Sequence, residues 1–595
     1  MRFSEVVLAA GLQLPAVLAG ENAQRPLGLS GSWGPGPQGK KPNIVFVLTD
    51  DQDLHMQSLD YVPLIKKHLI NEGTLYKRHY CTTAICCPAR VSLLTGKLAH
   101  NTNVTDVNPP HGETLSPSVN KTKSKLTKNP GGYPKFIDRG LNDAYLPIWL
   151  QEAGYDTYYT GKLFNAHTVE NYHSPYPAGW NASDFLLDPY TYSYLNASYQ
   201  RNQDEPVSYE GQHTVDVLAK KALGFLDDAA ASTSDRPFFL GIAPVAPHSN
   251  VQADLFSHDP DDLDDIDNIV AFTPPIPAER HAHLFPDAKV PRTPHFNPDA
   301  PSGANWVRKL HKQSQENVDF NDHFYRQRLR ALQSVDELVA SVVERLGEHG
   351  LLDNTYIFYT TDNGYHIGQH RLQPGKECGF EEDINIPLIV RGPGVPRGEI
   401  SEVVTTHVDL APTILGLAGA ASRADFDGEA IPLSKKGLEE AIVSRHEHVT
   451  VEFWGFAATE GRVFGDEPRL YFNNTYKAVR VIGAEYSFYY SVWCTNEHEL
   501  YDLKVCSLPN PPFLVQDSLM ILCLDGPLPA QQPPPRGRQG PLHAAGRALQ
   551  EGHRPARRAA VRAQIVQGPD VRAAVALAAP GGQRPEPARR PQRSF

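Results

Sequence analysis

Short runs of consecutive apolar, largely β-branched residues alternate along this chain with stretches whose apolar positions recur about every 3.6 residues. Asn43-Ile44-Val45-Phe46-Val47-Leu48 is one such run, ending at Thr49-Asp50-Asp51, and the runs at 237–243, 356–360 and 386–390 share its character. Continuous rather than alternating hydrophobicity predicts strands buried on both faces, as in a parallel sheet. Between them, Arg328 to Leu346 carries helical spacing, so the pattern predicts an α/β fold with helices packed on a sheet. A second helix is expected to open near Pro88, whose missing N–H and preset φ suit a first turn. It would run through Val91, Leu93 and Leu94 and stop near Gly96. The Pro- and Asp-rich region from Asp254 to Pro301 has few periodic apolar positions and reads as a long surface insertion. No solenoid-type repeat is present.

Length and the two ends refine this picture. At 595 residues, two or more domains are expected. Arg2, the apolar run Val6 to Leu18 and the small residues Ala19-Gly20 have the layout of a cleaved secretory signal over residues 1–19. No other stretch is apolar enough to span a bilayer. Sequons at Asn103, Asn120, Asn181, Asn196 and Asn473 fit a glycoprotein that is secreted or held in a cell-wall or periplasmic space. The seven cysteines are an odd number, which fits one being consumed chemically. An oxidising compartment permits disulfides among the others, with connectivity open.

Beyond Tyr501-Asp502-Leu503-Lys504 the composition changes abruptly. Residues 505–595 contain no Lys, Tyr or Trp, and twelve Arg face five acidic residues in a chain of net charge −12. Such a tail reads as a polyanion-binding arm, a disordered appendage or the product of a displaced reading frame, and the abruptness favours the last. Without aromatic interleaving it does not suggest nucleic-acid binding. The strongly acidic remainder argues against long sulfated polysaccharides as partners. Domain boundaries are expected at 40–425 for a main domain and 426–504 for a smaller, incomplete one, with 505–595 outside the fold.

Candidate chemistry gathers at strand ends. The run Thr355 to Thr360 ends at Thr361-Asp362-Asn363-Gly364, as the first run ends at Asp50-Asp51, and ligand sites in open α/β sheets lie at such carboxyl ends. Asp50, Asp51, Asp362 and Asn363 would together offer hard oxygen ligands suited to Ca²⁺ or Mg²⁺.

Cys86-Cys87-Pro88-Ala89-Arg90, followed by Leu94-Thr95-Gly96, resembles the C-x-P-x-R…L-T-G signature of type I sulfatases. That resemblance implies an alkaline-phosphatase-like α/β fold: a large mixed, mainly parallel sheet flanked by helices, then a smaller C-terminal sheet domain. It implies that Cys86 is converted to Cα-formylglycine by a formylglycine-generating enzyme. It also implies that Asp50, Asp51, Asp362 and Asn363, with the modified Cys86, bind a divalent metal, usually Ca²⁺ with Mg²⁺ as the alternative. A helix N-terminus at Cys86 would favour an anionic group such as sulfate.

Four further segments resemble the family. Gly161-Lys162 is similar to the element whose Lys contacts formylglycine, and Ala246-Pro247-His248 to the segment carrying the sulfate-binding His. Gly375-Lys376, followed by Phe380-Glu381-Glu382, is similar to the element whose Lys contacts sulfate and the leaving oxygen. Thr406 to Thr413 is similar to the segment near the end of the main domain. By resemblance Arg90 stabilises the formylglycine region. There are two departures. Lys162 is followed by Leu163-Phe164-Asn165 rather than Trp-His, as in the branch containing glucosamine-6-sulfatases and fungal arylsulfatases, which makes Asn165 a substrate contact. Phe380 stands where the family often has Tyr. His366 and His370, near Asp362, are further candidates for the pocket wall, and His167, two residues after Asn165, has no role assigned by the resemblance.

The resemblance implies hydrolysis of a small sulfate ester, most like an arylsulfatase. N-acetylglucosamine-6-sulfatase, phosphonate or phosphoester hydrolase, and an inactive sulfatase-like binding glycoprotein are the alternatives.

Overall fold

In a computed structural model, the described residues are 40–107, 131–251 and 272–504, with the backbone of 514–516 and 519–522. The signal-like segment 1–19, Asn120, Cys506, Cys523 and most of the tail lie outside them.

Ten strands form the main sheet: β1 (Asn43–Thr49), β2 (Thr74–Tyr76), β3 (Asp156–Lys162), β4 (Ala182–Leu186), β5 (Ser198–Arg201), β6 (Val207–Ser208), β7 (Phe238–Ala243), β8 (Thr355–Thr361), β9 (Leu388–Arg391) and β10 (Glu399–Ser401). Their spatial order is β10-β2-β9-β8-β1-β7-β3-β4-β5-β6. The five strands from β8 to β4 run parallel, and β9, β2, β5 and β6 introduce antiparallel pairs. This is the mixed, mainly parallel sheet expected.

Alternation within the apolar run of β1 explains its burial. Ile44, Phe46 and Leu48 point into one core with Phe239, Phe358 and helix α1 (Cys86–Thr95). Val45 and Val47 point into a second core with helices α2 (Thr214–Ala231) and α3 (Gln315–Glu348). Side chains on successive residues face opposite ways, so a strand covered by helices on both faces must be apolar throughout.

Helix α3 begins thirteen residues before the expected Arg328. Its N-cap, Ser314, accepts a hydrogen bond from the Asn317 N–H. The early turns are polar because they face polar neighbours: Asn321 bonds Gln313, and Asp322 pairs with Arg292. Hydrophobic periodicity does not mark them. The described part of the expected insertion, 272–301, is tied down by such contacts, with Val290 and His281 buried.

A second sheet contains β11 (His448–Phe453), β12 (Tyr476–Ile482), β13 (Ser487–Trp493), β14 (His498–Asp502), β15 (Leu514–Gln516) and β16 (Leu519–Leu522), ordered β11-β12-β13-β14-β16-β15. Strand β16 pairs parallel to β14, so this sheet extends past Lys504, where sequence composition placed its end. Residues before β11 also depart from the 425/426 boundary: Ile431, Leu433 and Leu438 pack into the main core. A third core joins the sheets, uniting Tyr80, Cys81, Ile85, Cys378 and Phe380 with Val451, Phe453, Tyr476, Trp493 and Tyr501. Two of its members, Ile85 and Cys378, lie one and two residues from Cys86 and Lys376 in the chain.

The five described cysteines, Cys81, Cys86, Cys87, Cys378 and Cys494, are unbridged. No described helix is long and apolar enough to cross a membrane.

Candidate active site

Strands β1 and β8 pair in parallel with Thr49 opposite Thr361. The next residue of each, Asp50 and Asp362, therefore leaves the sheet at the same edge. The Asp51 N–H donates to Asp362 Oδ1 at 3.0 Å, and Asn363 Nδ2 donates to Asp51 Oδ1 at 2.7 Å. All four residues are fully buried.

Helix α1 aims its N-terminus at this edge. Its N-cap, Ile85, is extended and supplies no capping side chain, and Cys86 Sγ donates to Asp50 Oδ1 at 3.4 Å. Gly96 closes the helix with φ of 67°. A Cβ there would meet the Phe426 ring at 2.6 Å, so both conformation and space require glycine.

Three buried cations neutralise the carboxylates. Arg90 Nε donates to Asp362 Oδ2 at 2.8 Å, its Nη2 lies 3.3 Å from Asp50, and its Nη1 donates to the Lys162 carbonyl at 2.6 Å. Lys162, the last residue of β3, places Nζ 2.5 Å from Asp50 Oδ2. Lys376 Nζ sits 2.6 Å from Asp51 Oδ2. His248 Nε2 is 3.5 Å from the same oxygen, and its Nδ1–H donates to the Ser249 carbonyl at 2.7 Å.

Electrostatics follow from this packing. Burial raises the Asp50 carboxyl, but Lys162 and Arg90 outweigh it and hold the group below the usual carboxylate range. For Asp51 burial dominates; Lys376 opposes it while Glu460 and the other aspartates add to it, and the carboxyl is pushed up to about 8. Burial, with Lys376 nearby, lowers His248 to about 4, so its imidazole is neutral. Burial and Asp50 push the Cys86 thiol well up.

The residues fit a hard cation. Ligand atoms of Asp50, Asp51, Cys86 and His248 lie within 4.8 Å of one another, and Asn363 Oδ1 is buried without a hydrogen-bond partner. Crowded acids and an orphaned amide oxygen are the donor set that Ca²⁺ or Mg²⁺ takes.

Other expected residues lie farther out. Asn165 donates through Nδ2 to the Tyr192 hydroxyl at 2.6 Å. His167 is buried between Tyr133 and Phe185, with ring centroids 4.4 and 5.4 Å away, in the core. His366 is turned onto Asp383 at 2.8 Å, and His370 stacks on Phe380 at 4.0 Å.

Two neighbours were not anticipated. The Tyr192 ring stacks on His248 at 4.0 Å and lies 4.7 Å beneath Lys162 Nζ. Glu460 places Oε1 3.0 Å from Lys376 Nζ and accepts hydrogen bonds from Ser249 and Tyr365. Neither carries a local motif; the Tyr-rich stretch around Tyr192 was the one available hint.

The sulfatase family profile matches residues 42–420. An arylsulfatase of Volvox carteri is 39% identical over 499 residues, spanning 79% of this chain and 72% of its own length. The N-acetylglucosamine-6-sulfatase of Homo sapiens is 32% identical over 505 residues, spanning 80% and 81%. A structure solved in complex with its substrate D-glucosamine-2-N,6-O-disulfate superposes with a TM-score of 0.57 at 21% identity, covering 78% of this chain and 92% of that one. Profile, relatives and fold agree: this chain belongs to the sulfatase family.

Proposed function

We propose that this sulfuric ester hydrolase cleaves aryl sulfates to the phenol and inorganic sulfate, with Cys86 converted to Cα-formylglycine as the nucleophilic residue. The observation that carries the reading is the convergence on Cys86: Asp50 lies 3.4 Å away, and Lys162 and Lys376 are seated on Asp50 and Asp51. Likeness to arylsulfatases over most of the chain supports the substrate class. The unmodified thiol is a poor candidate, since its raised pKa keeps it protonated and only a thiolate is a good nucleophile.

A formylglycine hydrate would supply two hydroxyls on one carbon, one to attack sulfur and one whose deprotonation lets sulfate leave. Asp50, Asp51, Asp362 and Asn363 would hold Ca²⁺ or Mg²⁺, which would supply positive charge to the sulfate oxygens. Arg90 braces Asp50 and Asp362 from behind. Lys162 keeps its charge on the Asp50 side, next to Cys86. On the Asp51 side, burial lowers the Lys376 pKa but Asp51 outweighs it, and the ammonium stays protonated. Neutral His248 has its Nδ1–H committed to Ser249, which leaves Lys376 to hydrogen-bond the oxygen that departs as the S–O bond breaks. Such preset donors stabilise developing charge without reorganising. Asn165, bonded to the Tyr192 hydroxyl, would contact the substrate from the side of the ring that stacks on His248.

The signal-like N-terminus and the exposed sequons at Asn103, Asn181 and Asn473 support a secretory route, along which a formylglycine-generating enzyme would act. A second reading, N-acetylglucosamine-6-sulfatase, is favoured by the human relative's coverage. Purified protein assayed against an aryl sulfate, 6-sulfated N-acetylglucosamine and an aryl phosphate decides between them. Fastest turnover of the aryl sulfate is expected; preference for the sugar sulfate supports the second reading. Turnover of the phosphate alone overturns both.

A further inference from the structure

A second buried cluster is made of other residues. His295 belongs to the segment between β7 and α3, His370 to the loop joining Asp362 to Lys376, and Glu382 to helix α4 (Glu381–Ile384). His295 Nε2 is 2.5 Å from Glu382 Oε1. The His370 backbone N–H donates to the His295 carbonyl at 2.8 Å, and the two rings are 5.3 Å apart.

Two atoms of the cluster lack a partner. His370 is fully buried and Glu382 is 2% exposed, yet His370 Nε2 and Glu382 Oε2 make no hydrogen bond. The other nitrogen of His370 is committed, since Nδ1 lies 2.7 Å from Ser302 Oγ, and Phe380 stacks against the ring at 4.0 Å. A proton on Nδ1 leaves a lone pair on Nε2. An imidazole lone pair and a carboxylate oxygen, both dry and unpartnered, call for a cation between them.

We propose that His295, His370 and Glu382 form a zinc site that clamps the loop carrying Lys376 to the segment before α3. One ligand atom from each lies within 4.8 Å of the others. Two imidazoles and one carboxylate match zinc rather than calcium, which takes oxygen ligands. The Ser302 contact is the outer hydrogen bond that fixes a metal-binding His in one tautomer. Thr293 Oγ1, 3.4 Å from His295 Nε2, stands near enough to supply the fourth ligand directly or through water. This site is independent of the sulfatase chemistry proposed above.

Full-length protein, purified without added metal or chelator, is tested by elemental analysis and zinc-edge X-ray absorption. One zinc per chain with two imidazoles in its shell is expected. Stripping it should lower the melting temperature, and added Zn²⁺, but not Ca²⁺, should restore it. Glu382→Gln and His295→Gln should each lose that zinc, whereas Asp362→Ala should keep it, which separates this site from the cation beside Cys86. Absence of zinc with no response to added Zn²⁺ would show a water-bridged network only and overturn the proposal. Zinc retained in both cluster variants, or a shell without paired imidazoles in the unaltered protein, would overturn it as well. The absorption measurement stands even if the variants fail to fold.

Discussion

Lys376 and Glu460 meet at 3.0 Å in a buried contact that joins the end of the active-site loop to a residue 84 positions later, in the connection between β11 and β12 of the smaller sheet. Lys376 is thereby held between two carboxylates, Asp51 and Glu460. If Asp51 turns to a metal ion, Glu460 still fixes the ammonium.

Replacing Glu460 by Gln should therefore misplace Lys376 without removing it. A hydrogen bond to a charged group contributes roughly 1.5–3 kcal/mol, so turnover should fall about 10–100-fold, in kcat more than in KM. Glu460→Asp should recover part of the loss. Steady-state kinetics with an aryl sulfate check this, and a kcat within twofold of the parent would remove Glu460 from any positioning role.

Protein made in a secretory host should carry an aldehyde at residue 86 in place of the thiol. Mass analysis of the tryptic peptide containing Cys86 reads the change directly. Cys86→Ala should fold and have no turnover, and a fully active preparation with an intact thiol would refute the proposed nucleophile.

Asp362 binds Arg90 and the Asp51 backbone as well as facing the expected cation. Asp362→Ala should lower cation affinity and cut activity by about 10²–10³, the usual effect of losing one charge-stabilising group at a reacting centre. Calorimetric titration of chelated protein with Ca²⁺ measures the affinity. Unchanged binding would place the cation elsewhere.

His167 gives a pH prediction. Burial lowers its pKa to about 3, while the unfolded imidazole titrates near 6.5. The folded state thus binds fewer protons between these values. The associated stability is complete above about pH 6.5 and is lost progressively as pH falls toward 3. His167→Phe, which keeps the stacking against Tyr133 and Phe185, should flatten that acid limb in urea denaturation at pH 7, 5 and 4. An identical pH slope in parent and variant would contradict the assignment.

Much of this was legible because the central strands are covered on both faces. A strand such as β1 must be uniformly apolar, and the polar residues that end it, Asp50 and Asp51, stand out by contrast. Cys86, Arg90, Lys162, His248 and Lys376 lie in short motifs of their own, and the fold brings all five to Asp50, Asp51 or Asp362. Glu460 was illegible because its partners, Lys376, Ser249 and Tyr365, reach it only through tertiary packing. Tyr192 was hidden among neighbouring tyrosines, with nothing local to single out the ring that stacks on His248. The opening turns of α3 escaped notice because they bury polar groups against the segment before them. Strands β15 and β16 are three and four residues long, too short to register at the start of a tail whose composition as a whole is rich in Pro and Arg.

The pairing of β1 with β8 also sets a clock. Asp50 cannot meet Asp362 until some 310 further residues have left the ribosome, because β8 is the strand that delivers it. At the elongation rates of cells, about 5–20 residues per second, that interval lasts roughly 15–60 seconds. Cys86 is 2% exposed in the finished fold, so a protein that converted it, as proposed above, would find it more open before β8 arrives. Under the proposed conversion of Cys86, the order of synthesis would give that step its time before the site is complete.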